Sequence, residues 1–248
     1  MPISPKPYLR QVNMSSPADA DAYPHNIPAV QALNGVKFHA DVTFFVGENG
    51  SGKSTVLEAI AMALGYGAEG GTLNMQIDTT SEAGSESAST LHQSLRLIRG
   101  YQRPRDGFFL RAETFFNVAT KVDDTGYLGG YSNKSLHARS HGEAFMTLLT
   151  TKFQGDGLYL LDEPEAALSP TRQMAALAAI HRLAEENSQL IIATHSPILL
   201  AYPNAKILQF DDDGIHEVAY EDTEHFVVTR DFLNHYPRRL AQLLADED

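Results

Sequence analysis

The residues best suited to chemistry form a glycine-rich loop near the start of the chain. Residues 47–54 read Gly-Glu-Asn-Gly-Ser-Gly-Lys-Ser and fit G-x-x-x-x-G-K-[ST], a spacing that cradles the phosphates of a nucleotide. Glycines let the backbone turn its N–H groups inward around phosphate oxygens. Lys53 would then reach the β- and γ-phosphates, and the Ser54 hydroxyl would hold Mg²⁺. The loop residues predicted to bind nucleotide are Asn49, Gly50, Ser51, Gly52, Lys53, Ser54 and Thr55.

A second chemical signal is a pair of acids that follows an apolar run. Residues 158–161 read Leu-Tyr-Leu-Leu, which is typical of a strand buried on both faces, and Asp162, Glu163 and Pro164 come next. Ligands of open α/β sheets bind where such strands end. Asp162 suits coordination of Mg²⁺ through water, and Glu163 suits a base that orients the attacking water. Asp-Glu-Pro alone is also ordinary turn chemistry, but about a hundred residues after a phosphate loop it predicts catalysis.

A histidine lies at the end of a further predicted strand. Residues 191–197 read Ile-Ile-Ala-Thr-His-Ser-Pro, so His195 would reach the same edge of the sheet. A histidine there can sense the γ-phosphate through a hydrogen bond. The alternative is a histidine that serves structure only.

Residues 140–143, Ser-His-Gly-Glu, open the helix that precedes the acidic strand. They form a capping box, with Ser140 as the cap and Glu143 at the third helical position. A capped helix start with a glycine is also an anion site, and its phosphate need not come from the same chain.

These residues need parallel strands and helices to position them, which predicts an α/β fold. The phosphate loop requires a strand before it and a helix after it, and the helix should end at Gly65. Asp212, Asp213 and Gly214 predict the turn of a closing hairpin. The other predicted elements are an edge strand at 8–12, strands at 38–46, 108–112 and 189–193, helices at 143–153 and 170–186, and two helices at 222–244 broken at Pro237.

Composition excludes several classes of protein. The chain has 248 residues, no cysteine and a net charge of −12. Cysteine chemistry, disulfides and a nucleic-acid coat are therefore excluded, and no apolar run is long enough to span a bilayer. The first residues lack the regions of a signal peptide, so we expect a cytoplasmic protein.

Charge is unevenly distributed, because five arginines lie within one short segment. They are Arg96, Arg99, Arg103, Arg105 and Arg111. The segment is either an anion-facing patch or a set of solvated arginines that pair with nearby acids.

The order of these motifs resembles that of ATP-binding-cassette (ABC) type ATPases. The phosphate loop, Ser-x-Gly-Glu at 140–143, the apolar run with Asp-Glu-Pro, Ala-Leu-Ser at 167–169 and Thr-His-Ser at 194–196 follow in the family's sequence. The resemblance is strongest to small stand-alone bacterial ATPases of the SMC-like group and covers nearly the whole chain.

The resemblance implies one domain over 1–248 with the P-loop NTPase fold of the ABC type. That fold has a mostly parallel central sheet with flanking helices, an antiparallel edge, and a small helical sub-lobe at about 68–153. It implies that Lys53 and Ser54 bind phosphates and Mg²⁺, that Asp162 helps hold the metal, and that Glu163 is the catalytic carboxylate. His195 would be the switch histidine.

The resemblance also implies a dimer. Ser140 and Gly142 occupy the signature motif, which contacts the γ-phosphate bound by a second copy, and residues 165–169 form the dimer-facing D-loop. Two chains would sandwich two ATP molecules head to tail.

The sequence departs from the family pattern at two places, the signature and the position of Glu113. The signature lacks Leu-Ser-Gly-Gly-Gln, because His141 and Glu143 replace a glycine and the glutamine. Glu113 stands where a glutamine normally faces Mg²⁺, so Glu113 is a candidate metal ligand. The adenine-stacking aromatic is either Tyr8 or Tyr23.

We therefore expect Mg²⁺-dependent ATP hydrolysis coupled to a non-transport process such as DNA maintenance or phage defence, with a nucleic-acid or protein partner. The non-transporter signature argues against the first alternative, the nucleotide-binding subunit of a membrane transporter. The second alternative is a slow nucleotide-dependent regulatory switch.

Overall fold

The computed structural model describes residues 5–15, 21–72, 90–111 and 141–245. Within them, the largest element is a six-stranded sheet. Its strands in chain order are β3 (Val42–Gly47), β5 (Asp106–Arg111), β6 (Gly157–Asp162), β7 (Gln189–Ala193), β8 (Lys206–Asp211) and β9 (Gly214–Val218).

The strand order in this main sheet is β5-β6-β7-β3-β8-β9. All neighbours are parallel except β8 and β9, which form the predicted antiparallel hairpin at the edge. Strands β3, β6 and β7 are buried along their whole length, as their apolar sequences require. The mostly parallel α/β fold with an antiparallel edge is confirmed. Because β3, β6 and β7 are adjacent and parallel, the loops that follow them meet at one edge of the sheet.

A second, three-stranded antiparallel sheet has the order β2-β1-β4. Its strands are β1 (Leu9–Met14), β2 (Val36–Lys37) and β4 (Leu95–Arg99). The predicted edge position of β1 is wrong, since β1 pairs on both sides and is the middle strand. Only sequence-distant segments supply its partners, and a local pattern does not reveal them.

Helices cover both faces of the main sheet. The helix after the phosphate loop, α2, spans Lys53–Leu64 as predicted and ends at Gly65, whose φ of 104° is left-handed. The helix predicted at 143–153 divides into α3 (His141–Thr147) and a π-helical turn at Leu148–Lys152. The remaining helices are α1 (Pro28–Gln31), α4 (Pro170–Glu185), α5 (Pro197–Leu200) and α6 (Glu224–Leu243).

The C-terminal helix α6 contains the predicted break at a slightly different residue. His235 has a non-helical φ of −128°, two positions before Pro237. Proline disfavours helical geometry in the chain preceding it, which places the kink upstream of the ring. None of the residues of α6 is buried within the described structure.

Two apolar clusters lie on opposite faces of the main sheet, because side chains alternate along each strand. Val42, Phe44 and Val46 of β3 face the cluster formed with α3 and α4. Phe45 faces the other cluster, which contains buried residues of α2 and of the small sheet. The strand that feeds the phosphate loop is thus fixed from both sides.

The sub-lobe predicted at 68–153 contains strands that belong to the two sheets. Strand β4 pairs with β1, and β5 pairs with β6 at the edge of the main sheet. Residues 73–89 and 112–140 lie outside the described residues, so the single domain over 1–248 with this sub-lobe stays a prediction. In the part of the chain that the structure covers, no helix has the length and apolar character needed to cross a membrane.

Candidate functional site

The phosphate loop connects β3 to α2 with conformations that only glycine adopts readily. Gly52 has a φ of 95° at the start of α2. At Gly47, a Cβ atom would lie 2.2 Å from the carbonyl oxygen of Phe210. The hydroxyl of Ser51 is buried and has no hydrogen-bond partner among the described residues. A cradle of this shape with an unused hydroxyl fits a phosphate group.

Lys53 is folded into this loop. Its side chain is 4% exposed, and Nζ donates to the carbonyl oxygens of Gly47 at 2.8 Å and Glu48 at 2.7 Å. Burial lowers the pKa of Lys53, an effect opposed by the carboxylates of Glu163 and Asp162. The ammonium group is therefore held at the loop by main-chain acceptors that an anion can replace.

Ser54 joins the phosphate loop to the acidic strand end. Its Oγ donates to Oδ1 of Asp162 at 2.9 Å, across 108 positions of sequence. Asp162 ends β6 and is 6% exposed. Two adjacent oxygen donors beside a phosphate cradle fit Mg²⁺, which is bound by hydroxyl and carboxylate oxygens.

Arg111 also approaches Asp162. Its Nη1 donates to Oε2 of Glu58 at 2.6 Å, and its Nε lies 3.9 Å from Oδ2 of Asp162. The arginine predicted as part of a patch thus lies beside the site, where it balances the charge of two carboxylates. Pairing with nearby acids is the second of the two alternatives for the arginine segment. It also holds for Arg105, whose Nη1 lies 3.7 Å from Oδ2 of Asp156.

Glu163 has an unusual backbone conformation. Its φ of 49° and ψ of 51° are left-handed, which is uncommon for a residue with a Cβ. Its N–H donates to the carbonyl of Ala193 at 2.9 Å, so β7 holds the turn in place. The carboxylate lies 3.6 Å from Nε2 of His195. The structure therefore brings together Lys53, Ser54, Asp162, Glu163 and His195.

His195 contacts two residues that the sequence did not single out as partners. Its backbone N–H donates to Oε1 of Glu165 at 2.6 Å. Its Nδ1 lies 2.9 Å from Nε2 of His225, in the first turn of α6. Burial, the Lys53 ammonium and His225 lower the pKa of His195 to about 4. The position of Glu165 directly after Asp-Glu-Pro could have marked it as a residue near the site. No local sequence pattern indicated that His225 would lie there.

Gly142 packs closely against the turn that follows β6. A Cβ atom on Gly142 would lie 2.5 Å from the carbonyl oxygen of Ala167, in the turn Pro164–Ala167. Glu143 accepts a hydrogen bond from Arg172 of α4 at 3.2 Å. Ser140 and Glu113 lie outside the described residues.

Two cavities flank the phosphate loop. One, of about 510 Å³, lies between the loop residues Glu48 and Asn49 and the two histidines His195 and His225. The other, of about 530 Å³, is bounded by residues 48–51, residues 209–212 and Glu224. Asn49, Gly50 and Ser51 therefore face open space on the side where a ligand would enter.

The two candidate adenine-stacking tyrosines differ in exposure. Tyr8 is 2% exposed and part of an apolar cluster. Tyr23 is 69% exposed, and its hydroxyl lies 3.5 Å from Oγ1 of Thr55 in the first turn of α2. Only Tyr23 offers a ring face to a ligand.

Two family models match the chain and together cover more than half of it. Residues 25–114 match a model described as an AAA domain, and residues 140–201 match one described as an AAA domain, putative AbiEii toxin, Type IV TA system. None of the curated proteins matches the sequence.

Several solved structures are similar at low identity. A putative metal-chelate type ABC transporter in an inward-facing conformation is 17% identical over 89% of this chain and 88% of its own, with a TM-score of 0.47. CbiO1 from Clostridium perfringens, part of the ABC transporter complex cbiONQ, is 16% identical over 96% and 100%, with a TM-score of 0.47. An SMC head bound to the C-terminal winged-helix domain of ScpA is 16% identical over 86% and 97%, with a TM-score of 0.45. Likenesses this weak carry no functional inference.

The phosphate loop between β3 and α2, with Asp162 bonded to Ser54 at the end of β6, defines a P-loop nucleotide hydrolase. Both family matches are to AAA domains, so the chain is similar to P-loop ATPases over residues 25–114 and 140–201.

Proposed function

We propose that this chain binds ATP and hydrolyses it in a Mg²⁺-dependent reaction. The observation that carries the proposal is the 2.9 Å hydrogen bond from Ser54 to Asp162. It joins the phosphate cradle to the acidic strand end, which is where phosphoryl-transfer sites hold the metal.

Each residue of the site has a defined task in this reaction. Loop N–H groups and Lys53 stabilise the charge on the phosphate oxygens. Glu163 orients the attacking water and accepts its proton. His195 donates a hydrogen bond to the γ-phosphate. Mg²⁺, when held by Ser54 and Asp162 with Glu113 as a further ligand, would neutralise charge on the β- and γ-oxygens.

Tyr23 is proposed to stack on adenine. Its exposed ring beside Thr55 supports this assignment, whereas Tyr8 is buried. Tyr23→Ala is expected to weaken ATP binding in calorimetry, and Tyr23→Phe to preserve it. Equal weakening by both would contradict stacking.

We further propose that two copies sandwich two ATP molecules. Ser140 and Gly142 of one copy would contact the γ-phosphate held by the other, and residues 165–169 would face the partner. The close packing of Gly142 on Ala167 supports this, because it joins the signature segment and the D-loop into one surface.

Glu163→Gln tests hydrolysis and dimerisation together. The variant keeps the shape of the side chain but removes the base, so we expect ATP binding and an ATP-dependent dimer with turnover abolished. Light scattering after gel filtration, with ATP or ADP, measures the dimer, and phosphate release measures turnover. Lys53→Ala serves as the binding-deficient control. Normal turnover in Glu163→Gln would refute the assigned mechanism.

The proposed biological process is a non-transport one, such as DNA maintenance or phage defence, acting on nucleic acid. Segment 90–105 supports this partner, since it holds four arginines and no acid in a chain with a net charge of −12. Arg96, Arg99, Arg103 and Arg105 are exposed along β4 and the loop after it. A basic face on an acidic protein suits a phosphate backbone.

The nucleic-acid partner is tested by charge reversal. Arg96→Glu with Arg103→Glu is expected to abolish DNA stimulation of ATPase activity while leaving the basal rate unchanged. Lys152→Glu, on the turn after α3, is the matched control. Absence of any DNA effect on the unmodified chain, or copurification with a membrane permease, would exclude this process.

A further inference from the structure

Two histidines meet beside the phosphate loop. His195 follows β7, and His225 lies in the first turn of α6, with Nδ1 of the former 2.9 Å from Nε2 of the latter. Their ring centroids are 5.1 Å apart. Both rings line the 510 Å³ cavity opposite Glu48 and Asn49, so the pair faces the side of the site where the nucleotide phosphates would lie.

Hydrogen bonds hold the two segments that carry these histidines close to each other. The turn before α5 is capped by Ser196, whose hydroxyl accepts from the N–H groups of Ile198 and Leu199. The hydroxyl of Tyr220, just before α6, donates to the carbonyl of Pro197 at 2.8 Å. Thr223 caps α6 by accepting from the N–H of Phe226. The residues that flank the two histidines are thus hydrogen-bonded within and between the segments before α5 and before α6.

The surroundings favour the neutral form of both histidines. Burial, with the charge of Lys53, lowers the pKa of each ring. A neutral imidazole has one N–H donor and one acceptor nitrogen, so only one of the two rings can donate in the bond between them.

The direction of this bond follows from what surrounds the other two nitrogens. Nε2 of His195 and Nδ1 of His225 are buried, and neither has a hydrogen-bond partner among the described residues. Nε2 of His195 lies 3.6 Å from Oε1 of Glu163.

If His195 donates from Nδ1, its Nε2 lone pair faces the Glu163 carboxylate, and His225 buries an N–H without an acceptor. If His225 donates from Nε2, Nδ1 of His195 accepts and the proton of His195 is on Nε2. That N–H then faces the Glu163 carboxylate, which is favourable. The nitrogen without a partner is then Nδ1 of His225, which is an acceptor. The second arrangement avoids both a repulsive contact and a buried unpaired donor.

We propose that His225 is a positioning residue that fixes the Nε2–H tautomer of His195, so that this N–H is available to donate to the γ-phosphate. This inference rests on the proposed function, since it assigns a positioning role to a residue beside the same nucleotide site. It predicts that His225 contributes, through His195, to the recognition of a triphosphate over a diphosphate.

The first test reads the tautomer directly. The full chain is labelled with ¹⁵N at histidine, and the His195 signals are assigned by their loss in His195→Gln. We expect Nδ1 to be unprotonated and Nε2 protonated at neutral pH in the unmodified chain. A proton on Nδ1 would overturn the proposal whatever the variants do.

The second test reads nucleotide preference by calorimetry with ADP and a non-hydrolysable ATP analogue. His225→Phe keeps the ring volume but has no donor, so we expect about a tenfold loss of preference for the triphosphate, as for one hydrogen bond to a charged group, with ADP affinity unchanged. His225→Gln retains an N–H donor and should preserve the preference. Val227→Ala, on the same helix turn, is the control.

The outcomes separate this inference from the function it deepens. If the unmodified chain binds neither nucleotide, the proposed function and this inference both fail. If it prefers the triphosphate and His225→Phe does so equally, only the role of His225 is refuted. Equal loss in His225→Phe and His225→Gln would also refute it, because it would indicate packing rather than donation.

Discussion

The carboxylate of Glu165 accepts a hydrogen bond from the backbone N–H of His195 at 2.6 Å. Glu165 lies in the turn after β6, and His195 follows β7, so the bond joins the ends of two neighbouring parallel strands. Burial raises the pKa of Glu165, and hydrogen bonds from the His195 N–H and the Thr194 side chain oppose that rise. The backbone position of His195 therefore depends on the side chain of Glu165.

Glu165→Ala is expected to lower both stability and turnover. It leaves the His195 N–H without its acceptor, which costs about 1–3 kcal/mol, and it releases the strand end that carries the histidine. Urea unfolding measures the first effect and phosphate release the second. Glu165→Gln retains an acceptor and is the matched control, so similar losses in both variants would contradict the capping role.

Ser54→Ala is expected to raise the Mg²⁺ concentration needed for half-maximal ATPase activity by at least about tenfold. The substitution removes one oxygen donor and leaves Asp162 without its hydroxyl partner. Ser54→Thr keeps the hydroxyl and should behave like the unmodified chain in the same titration. An unchanged Mg²⁺ requirement in Ser54→Ala would argue against this metal position.

Gly142→Ala is expected to weaken the contact between α3 and the turn Pro164–Ala167. The added Cβ would lie 2.5 Å from a backbone oxygen of Ala167 and 2.7 Å from Arg172, and the backbone cannot move aside without shifting the turn. Overpacking of this kind costs about 1–3 kcal/mol. Thermal unfolding and the ATP-dependent dimer would both report it.

Gly67→Ala is the control for that experiment, because a Cβ there meets its nearest atom, the Gly70 oxygen, at an ordinary 3.6 Å. A Gly142→Ala protein as stable and as dimeric as Gly67→Ala would show that the close contact is not required.

Stability should depend on pH through His195. Unfolded histidine takes up a proton near its ordinary pKa of 6.5, whereas the folded residue stays neutral down to about 4. Between these values the unfolded chain binds more protons, so His195 makes the free energy of unfolding fall as pH falls from about 6.5 to about 4, by at most about 3 kcal/mol. The charged and titratable groups around it are Lys53, His225, Glu163 and Glu165.

Urea unfolding at several pH values checks this contribution against His195→Gln. The variant should lose less stability than the unmodified chain across the same interval. Parallel pH profiles for the two proteins would show that His195 is not held neutral by the fold.

Patterns local in sequence predicted most of the main sheet. The apolar run at 158–161 predicts a strand buried on both faces from four residues alone. The octet at 47–54 predicts a phosphate loop from the positions of its glycines. The order of motifs then predicted which strand ends meet, and the structure brings Ser54 and Asp162 together as expected.

Contacts between distant segments were not predictable in the same way. The middle position of β1 depends on β2 and β4, which lie far along the chain. His225 approaches His195 only because α6 returns to the edge of the sheet, and a histidine in the first turn of a helix carries no sign of its neighbour. Arg111 lies at the site, apart from the other arginines of its segment, because β5 ends beside Asp162.

The left-handed backbone of Glu163 predicts a trade-off between stability and the proposed activity at this position. A non-glycine residue in that conformation costs of order 1–3 kcal/mol, and asparagine or glycine would adopt it more easily. Selection for thermostability alone would therefore favour replacing Glu163, at the expense of the carboxylate that we propose orients the attacking water. Heat-resistant variants that lack the proposed activity are therefore expected among substitutions of Glu163.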